Sequence, residues 1–381
     1  MTATSTAPDP RRTVLRVIVV TLLVLALTTA VTVMVAYQRL DENVLPGAPI
    51  PDQEPKPKAV GGEPLNIVVM GSDSREGAGN DIDSDTSTGR RSDTTILVHV
   101  SGDRKEVYGV SLPRDALVTR PDCEGPDGET VPGGELEMFN SAFSVGGEAC
   151  TVQMIHELTG VYIDHYISVD FNGFKKMVDA VKGVTVCIPE DVDDPKTGIS
   201  FDAGTQELDG QQALDYVRER SQLSANADIG RMKRQQAFVA SMINKVISAG
   251  TLTRPFRVYE FVEAATESIT PDPDLASLDK LAKLARQFRE TNLDDIEFIT
   301  VPFMEYEPDP NRLVWAPQAD ELWARIIADK PLNKKLSGEV VTASDPVGPS
   351  SPGDGSSESP SASGTPGGDV EATATENGLC A

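Results

Sequence analysis

The chain has 381 residues and carries 59 Asp and Glu against 34 Lys and Arg, a formal net charge of −25 at pH 7. So acidic a balance excludes nucleic-acid binding through a basic face, and it bears on solubility rather than on fold. The length admits one large domain or two ordinary ones, and the 4 cysteines suit an oxidising compartment.

Residues 1–13 are polar and read as a cytoplasmic tail. The run VIVVTLLVLALTTAVTVMVAY, from Val17 to Tyr37, holds no charge. At 1.5 Å per residue it spans roughly 30 Å, the depth of a bilayer's hydrocarbon core, so a transmembrane helix is expected over 14–37. Arg11, Arg12 and Arg16 precede it, and the positive-inside rule then puts everything after Tyr37 outside the cell, on a single-pass cell-membrane protein. A cleaved signal peptide would have a shorter apolar core and a small-residue cleavage site, so a retained anchor is preferred. Residues 38–63, rich in Pro and charge, are expected to form an extended stalk. Residues 64–340 alternate strand-like and helix-like patterns and fit a single α/β domain. From 344 to 381 the chain is low in complexity and reads as disordered.

Within the domain, LNIVVM (65–70) reads as a buried strand, followed by a polar loop reaching Asp93. TTILVHV (94–100) and EVYGVSL (106–112) lie on either side of SGDRK and form an antiparallel hairpin. Cys123 and Cys150 flank a Gly- and Pro-rich excursion too loose to hold itself together. A disulfide there would close a loop of about 28 residues and contribute on the order of 3 kcal/mol. Cys187 and Cys380 either pair or both stay free. HYISVDF and GVTVCIP read as strands around the helical NGFKKMVDAV, and DGQQALDYV as a helix capped by Asp209. A long helix starts near Asp228, its plausible N-cap, and two more helical stretches fall around 256–290. DIEFITVP and NRLVWAP are later strands, and QADELWARIIADK closes the domain as a helix.

Strand direction alone gathers a set of charged residues. Asp73 follows the first strand, Arg91 and Asp93 precede the second, and Arg114 follows the third. If the first strand is also antiparallel to the second, all four share one sheet edge. Two nearby carboxylates repel unless a proton or cation intervenes. Mg2+ suits an oxygen-only site, with Mn2+ as the other candidate ion, and Arg forks suit phosphate. Taken singly, Asp73 as a turn cap and Arg91–Asp93 as a surface pair would be the plainer readings.

A second cationic group lies in YVRERSQLSANADIGRMKRQQ (216–236), where Arg218, Arg220, Arg231, Lys233 and Arg234 oppose Glu219 and Asp228. Arg218 and Arg220 would point the same way if the chain leaves its helix extended. Arg231 and Gln235, four apart, share a helix face, while Lys233 suits a solvated one.

In order, NIVVMGSDSR, RRSDTTILVHV, VYGVSLPRD, NSAFSVGG, LDGQQALDYVRER and DIGRMKRQQ resemble the LytR-CpsA-Psr family of envelope phosphotransferases. The resemblance implies an α/β/α fold, a central mixed sheet with antiparallel strands sandwiched by helices. It also implies transfer of a phosphoglycan from a polyprenyl-pyrophosphate carrier to peptidoglycan, at a hydroxyl such as the MurNAc 6-OH. The polymer could be teichoic acid-like, capsular or an arabinogalactan. Carried over by position, Asp73 and Asp93 match the metal ligands, and Arg91, Arg114, Arg218 and Arg220 the pyrophosphate set, with Arg231 and Gln235 in support. Arg114 also matches an arginine important for catalysis, and Asp93 and Asp115 are the candidates for general base. The family further implies an apolar groove for the prenyl chain. The insert GAGNDIDSDTSTG between Asp73 and Arg91 departs from the pattern.

Two rivals keep parts of this reading: a prenyl-pyrophosphate phosphatase, in which water attacks, and a non-catalytic regulator or wall-binding protein. His99, His156 and His165 lack partners at zinc spacing, so structural roles are expected. No G-x-S-x-G elbow and no P-loop motif occurs in the chain.

Overall fold

The computed structural model describes residues 10–56, 62–73, 92–125, 127–195, 197–219, 227–248, 254–289, 291–333, 336, 340–346 and 380. Helix α1 (Pro10–Glu42) contains the uncharged run. Among the described residues it is the one helix long and apolar enough to cross a membrane, over Val14–Glu42.

The domain is organised on a mixed sheet of 7 strands. β1 (Leu65–Ser72), β2 (Ser92–Val100) and β3 (Val107–Leu112) form an antiparallel meander, as the short turn after Val100 required. Four short strands follow: β4 (Leu117–Arg120), β5 (Cys123–Glu124), β6 (Thr130–Val131) and β7 (Gly134–Met138). Helix α2 (Ser141–Thr159) then leads into β8 (His165–Asp170), which pairs parallel to β1. After α3 (Phe171–Ala180) come β9 (Val184–Ile188), the β10–β11 hairpin (Val192–Asp194, Ile199–Phe201) and β12 (Gly204–Leu208), which pairs with β9.

The next helices are α4 (Gly210–Arg218), α5 (Ala227–Ser248) and α6 (Pro255–Ser268), the last running into β13 (Ile269–Pro271). The chain continues through α7 (Leu278–Gln287), β14 (Ile296–Thr300), the hairpin β15–β16 (Phe303–Tyr306, Asp309–Trp315), α8 (Gln318–Ile327) and β17 (Val341–Thr342). The sheet order is β13-β8-β1-β2-β3-β14-β17.

Alternate residues divide the sheet into two faces. On one, Val68, Leu97 and Val110 face each other across β1–β3 and pack with Met154 and Ile155 of α2 and Trp323 of α8. Each fully buried apolar side chain of this kind stabilises by roughly 1.5–3 kcal/mol. On the other, Val107 and Phe298 pack with Val239, Ala240 and Ile243 of α5. Gly109 is required there, because a Cβ would sit 2.5 Å from the Phe298 ring. Gln236, fully buried on α5, has its Nε2 2.9 Å from both Ser111 Oγ and the Ile299 carbonyl oxygen. That contact seats α5 across the ends of β3 and β14.

Four expectations need correction. The stalk is partly a strap on the domain: Leu40 and Val44 are buried, Gln53 Nε2 donates to the Ile163 carbonyl at 2.8 Å, and Lys56 pairs with Asp164 at 2.6 Å. The segment between Cys123 and Cys150 is ordered by β5–β7 and by the first turns of α2. It escaped notice because Gly146 and Gly147 break the helix with non-helical angles and with them the apolar period. The domain runs past 340, since Ala343 is buried and its carbonyl accepts from Asn244 Nδ2 at 2.8 Å. Helix α5 begins at Ala227, which places Asp228 in its first turn rather than at the cap.

Both disulfides form. Cys123–Cys150 and Cys187–Cys380 have Cα separations of 5.5 and 5.8 Å, and the second ties Cys380 back to β9. The remainder of the low-complexity tail, 347–379 and 381, lies outside the described residues.

Candidate active site

Because β2 runs against β1 and β3, the end of β1, the start of β2 and the end of β3 meet on one edge. β8 and β14, parallel to β1 and β3, end there too. The register is explicit: Ser72 lies opposite both Ser92 and Asp170, and Thr95 opposite Leu112. Asp73 is thus one residue beyond a strand end that adjoins Ser92 and Asp93. Arg114, two residues past Leu112, donates from Nη1 to Asp93 Oδ1 at 2.6 Å and from Nε to Asp115 Oδ2 at 3.0 Å. Arg312 of β16 brings Nη1 to 3.5 Å from Asp115 Oδ1. Side-chain exposures of 15% for Arg114 and 16% for Asp115 set these contacts apart from ordinary surface pairs, because water screens them less.

The second half of the site hangs on α4 and α5. Asp209 caps α4 through a capping box with Gln212, as expected, and the chain leaves the helix extended at Glu219 (φ −59°, ψ 135°). The Arg218 guanidinium stacks 4.9 Å above the Phe171 ring, a contact between α4 and the first residue of α3. Gln235 Nε2 donates to the Val217 carbonyl at 3.2 Å, fixing the end of α4 beside Arg218. Asp215, one turn before Arg218, has its carboxyl pushed up by burial, against the pull of Gln211 and Arg218. Arg234 is fully buried, and its Nη2 donates to the Glu219 carbonyl and lies 3.9 Å from the Glu219 carboxylate. Burial holds its guanidinium below the usual range, and the same burial pushes the Tyr216 phenol up to about 12. Arg234 therefore supports the wall of the site rather than facing a ligand. Lys233, expected on a solvated face, is only 6% exposed.

Two adjoining cavities share Asp93, Thr94, Arg231 and Gln235. The smaller is charged and adds Arg114, Asp115 and Leu313. The larger encloses about 970 Å³, open solvent included. It passes Arg218 and becomes apolar between the sheet and the helices α3, α4 and α5, along Ile96, Phe174, Phe238 and Met242. They line an apolar cleft whose residues sequence alone could not name. Arg91 and Arg220 lie outside the described residues.

Asp73 and Asp93 place two carboxylates, candidate oxygen donors for a metal ion, at neighbouring strand ends. Among the described residues no group of three or more His, Cys, Asp or Glu side chains gathers in the way an all-protein metal cage needs. A Mg2+ ion needs no such cage, since it binds through one or two carboxylates and completes its shell with water and phosphate. The donor set fits that mode. The histidines have structural partners: His99 meets Asn66 and Asp329, His156 the Val161 carbonyl, and His165 Asp272.

A model of the LytR_cpsA_psr family matches residues 40–325. The chain belongs to this family. LcpA of Corynebacterium glutamicum, a cell wall biosynthesis protein, is 32% identical over 261 residues, 62% of this chain and 49% of LcpA. LcpB of the same organism, a probable cell wall biosynthesis protein, is 35% identical over 54% of this chain and 47% of its own length. The chain thus spans about half the length of these two relatives. TagU of Enterococcus faecalis, a polyisoprenyl-teichoic acid–peptidoglycan teichoic acid transferase, is 29% identical over 60% of this chain and 66% of TagU.

Among solved structures, the LytR-Csp2A-Psr enzyme from Actinomyces oris superposes with a TM-score of 0.52 at 22% identity, over 73% of this chain and 95% of that one. TagT bound to LI-WTA gives 0.53 at 22%, over 75% and 98%. At such identities the likeness establishes the LytR_cpsA_psr fold, a mixed sheet flanked by helices, while chemistry has to be argued from the site.

Reading the sequence missed Arg312, Phe171 and Asp170 as parts of this site. NRLVWAP showed only a strand pattern, and nothing local says that β16 lies against Asp115. Asp170 could have been found, because it ends a strand and begins a helix; its side chain caps α3 by accepting from Gly173 N at 2.6 Å.

Proposed function

We propose that this member of the family is a phosphotransferase that moves a phosphoglycan from a polyprenyl-pyrophosphate carrier to a peptidoglycan hydroxyl outside the cell. One observation carries the reading: a cavity lined by Arg114, Arg231 and Asp93 adjoins a largely apolar cleft of about 970 Å³, open solvent included. A ligand with an anionic head and a long hydrocarbon tail matches both halves. The transferase names of the TagU-type relatives and the one membrane-length helix support the same reading.

In this scheme the diphosphate lies across Arg114, Arg218 and Arg231, with the prenyl chain along Phe174, Phe238 and Met242. Asp73 and Asp93 would hold Mg2+, or Mn2+, whose charge would stabilise the phosphate oxygens. Arg114 is held by Asp93 and Asp115 until the more highly charged diphosphate competes for its fork. Asp115, so released, is placed to accept the proton of the attacking hydroxyl. The acceptor oxygen bonds to the glycan-bearing phosphorus, the bond to the bridging oxygen breaks, and prenyl phosphate leaves with the electron pair. The guanidiniums stabilise charge on the leaving oxygens.

The test is to incubate the protein with prenyl-diphosphate-linked glycan, with and without peptidoglycan, and follow prenyl phosphate release and the new phosphodiester by mass spectrometry. Acceptor-dependent release is expected. Equal release in water alone would assign a phosphatase instead, and no release at all with intact carrier binding would leave a binding protein.

A further inference from the structure

We infer that the start of α6 is a membrane-contacting edge that sets the open end of the apolar cleft on the bilayer surface. Three contacts show that the end of α1 with the segment after it and the end of α6 with β13 run in the same direction. Arg39 Nη2 lies 3.0 Å from Glu263 Oε1, Asn43 Nδ2 donates to Thr266 Oγ1 at 3.4 Å, and Gly47 N donates to the Pro271 carbonyl at 2.8 Å. The two stretches advance in the same direction where they meet, so following α6 backwards leads towards the side of the apolar run that ends at Tyr37. Phe256 precedes Glu263 by seven residues, which is on the order of 10 Å of helix. Phe256 therefore lies beyond these contacts on the side of the apolar run of α1. Interfacial side chains are buried to about this depth, ~5–10 Å, in a bilayer.

The chemistry of this edge matches that position. Phe256 is 86% exposed, more than any other large hydrophobic side chain among the described residues. The exposed Arg254 and the half-buried Arg257 flank it, while Glu260, Glu263 and Glu267 follow further from the membrane end. Cations at a helix start oppose the helix dipole, and Arg254 occupies the cap position without a capping hydrogen bond. Neither feature serves helix stability. Both suit anionic lipid headgroups, which a protein of net charge −25 would otherwise repel.

The cleft points the same way. From Arg231 it follows α5 past Phe238 to Met242, about 16 Å along the helix. Beyond it, Val246 of α5 and Phe261 of α6 pack into one apolar cluster, and Ile247 is exposed. A prenyl chain entering from the bilayer would thus meet α6 and the end of α5 first. The bilayer contact stands on geometry alone; its role in substrate entry rests on the function proposed above.

The experiment uses the full chain in vesicles of phosphatidylcholine with a minority of phosphatidylglycerol, with bromine on the acyl chains. Phe256→Trp is expected to add blue-shifted emission that brominated lipid quenches by roughly twofold or more beyond the wild-type signal of Trp315 and Trp323. Emission that stays red-shifted and unquenched overturns the inference. In the second arm, Arg254→Gln combined with Phe256→Ser should slow transfer from a long-chain carrier in the vesicle by roughly fivefold. Transfer from a short, water-soluble prenyl analogue should be unchanged. Equal loss on both substrates, or none on either, overturns the entry role. If wild-type protein transfers from neither substrate, the functional reading fails, while the fluorescence still decides the membrane contact.

Discussion

The two faces of the seven-stranded sheet use alternate residues of the same strands, yet one is filled and the other is held open. On the filled face Phe139, Phe143 and Trp323 are almost wholly buried around Val68 and Leu97. On the open face, Val69, Gly71 and Ile96 line the cleft. Protein interiors normally leave few voids larger than a water molecule, so an apolar space of this size persists only where its walls cannot collapse. Gln236, Arg234 and the Arg218–Phe171 contact brace those walls from three sides. The difference teaches where this molecule is packed for stability and where it keeps an open space.

The sharpest way to break that contrast is at the charged mouth of the open face. Arg114→Ala should lower the rate of prenyl phosphate release by about 10³-fold while leaving the melting temperature nearly unchanged. A loss under tenfold would place the chemistry elsewhere. On the filled face, replacing Cys123 and Cys150 by Ser should cost ~3 kcal/mol in urea denaturation with the carrier affinity retained, because both sulfurs lie within that core.

Neighbouring valines on β1 test the contrast residue against residue. Val68→Phe overpacks the filled face and should destabilise by ~1–3 kcal/mol. Val69→Phe turns into the cleft and should cost under ~1 kcal/mol while raising KM for a long-chain carrier. Equal penalties at the two positions would mean that the cleft closes in solution.

The smallest effect concerns Asp329, which receives the His99 contact at 3.2 Å on the filled face. The hydrogen bond from His99, aided by Gly102 N, holds its carboxyl below the usual value of 3.8. A depressed folded value stabilises above the unfolded one and is lost as pH falls through it. Wild type should therefore exceed Asp329→Asn by about 1 kcal/mol at neutral pH. The gap should close on acidification below 3.8, as read by denaturation at both pH values.

Much of the candidate site was legible because strand direction is a local property. A five-residue turn dictates an antiparallel pair, and an antiparallel meander returns alternate ends to one edge. Asp73, Asp93 and Arg114 could therefore be grouped without coordinates. That Arg231 and Gln235 share one face, and so line the same cavities, followed from helical spacing in the same way. Arg234 was opaque, because facing a ligand and bracing a buried Glu219 leave the same residue type at the same spacing. Helix α2 was hidden by the two glycines at its kink, and the strap over 43–56 by a composition that suits a linker as well as a docked segment. Arg312 needed the chain to travel nearly two hundred residues before meeting Asp115.

By itself, then, the chain's order of residues determined the membrane-length helix, the strand and helix pattern, the Asp209 cap and the set of charged groups available at the sheet edge. Those are consequences of periodicity and local sterics. Only the tertiary structure decided which arginines line the cavity and which brace its wall, that Cys380 returns to Cys187, and that the end of α6 meets the end of α1. Such contacts join residues far apart in sequence, and their free energy depends on burial that no local pattern records.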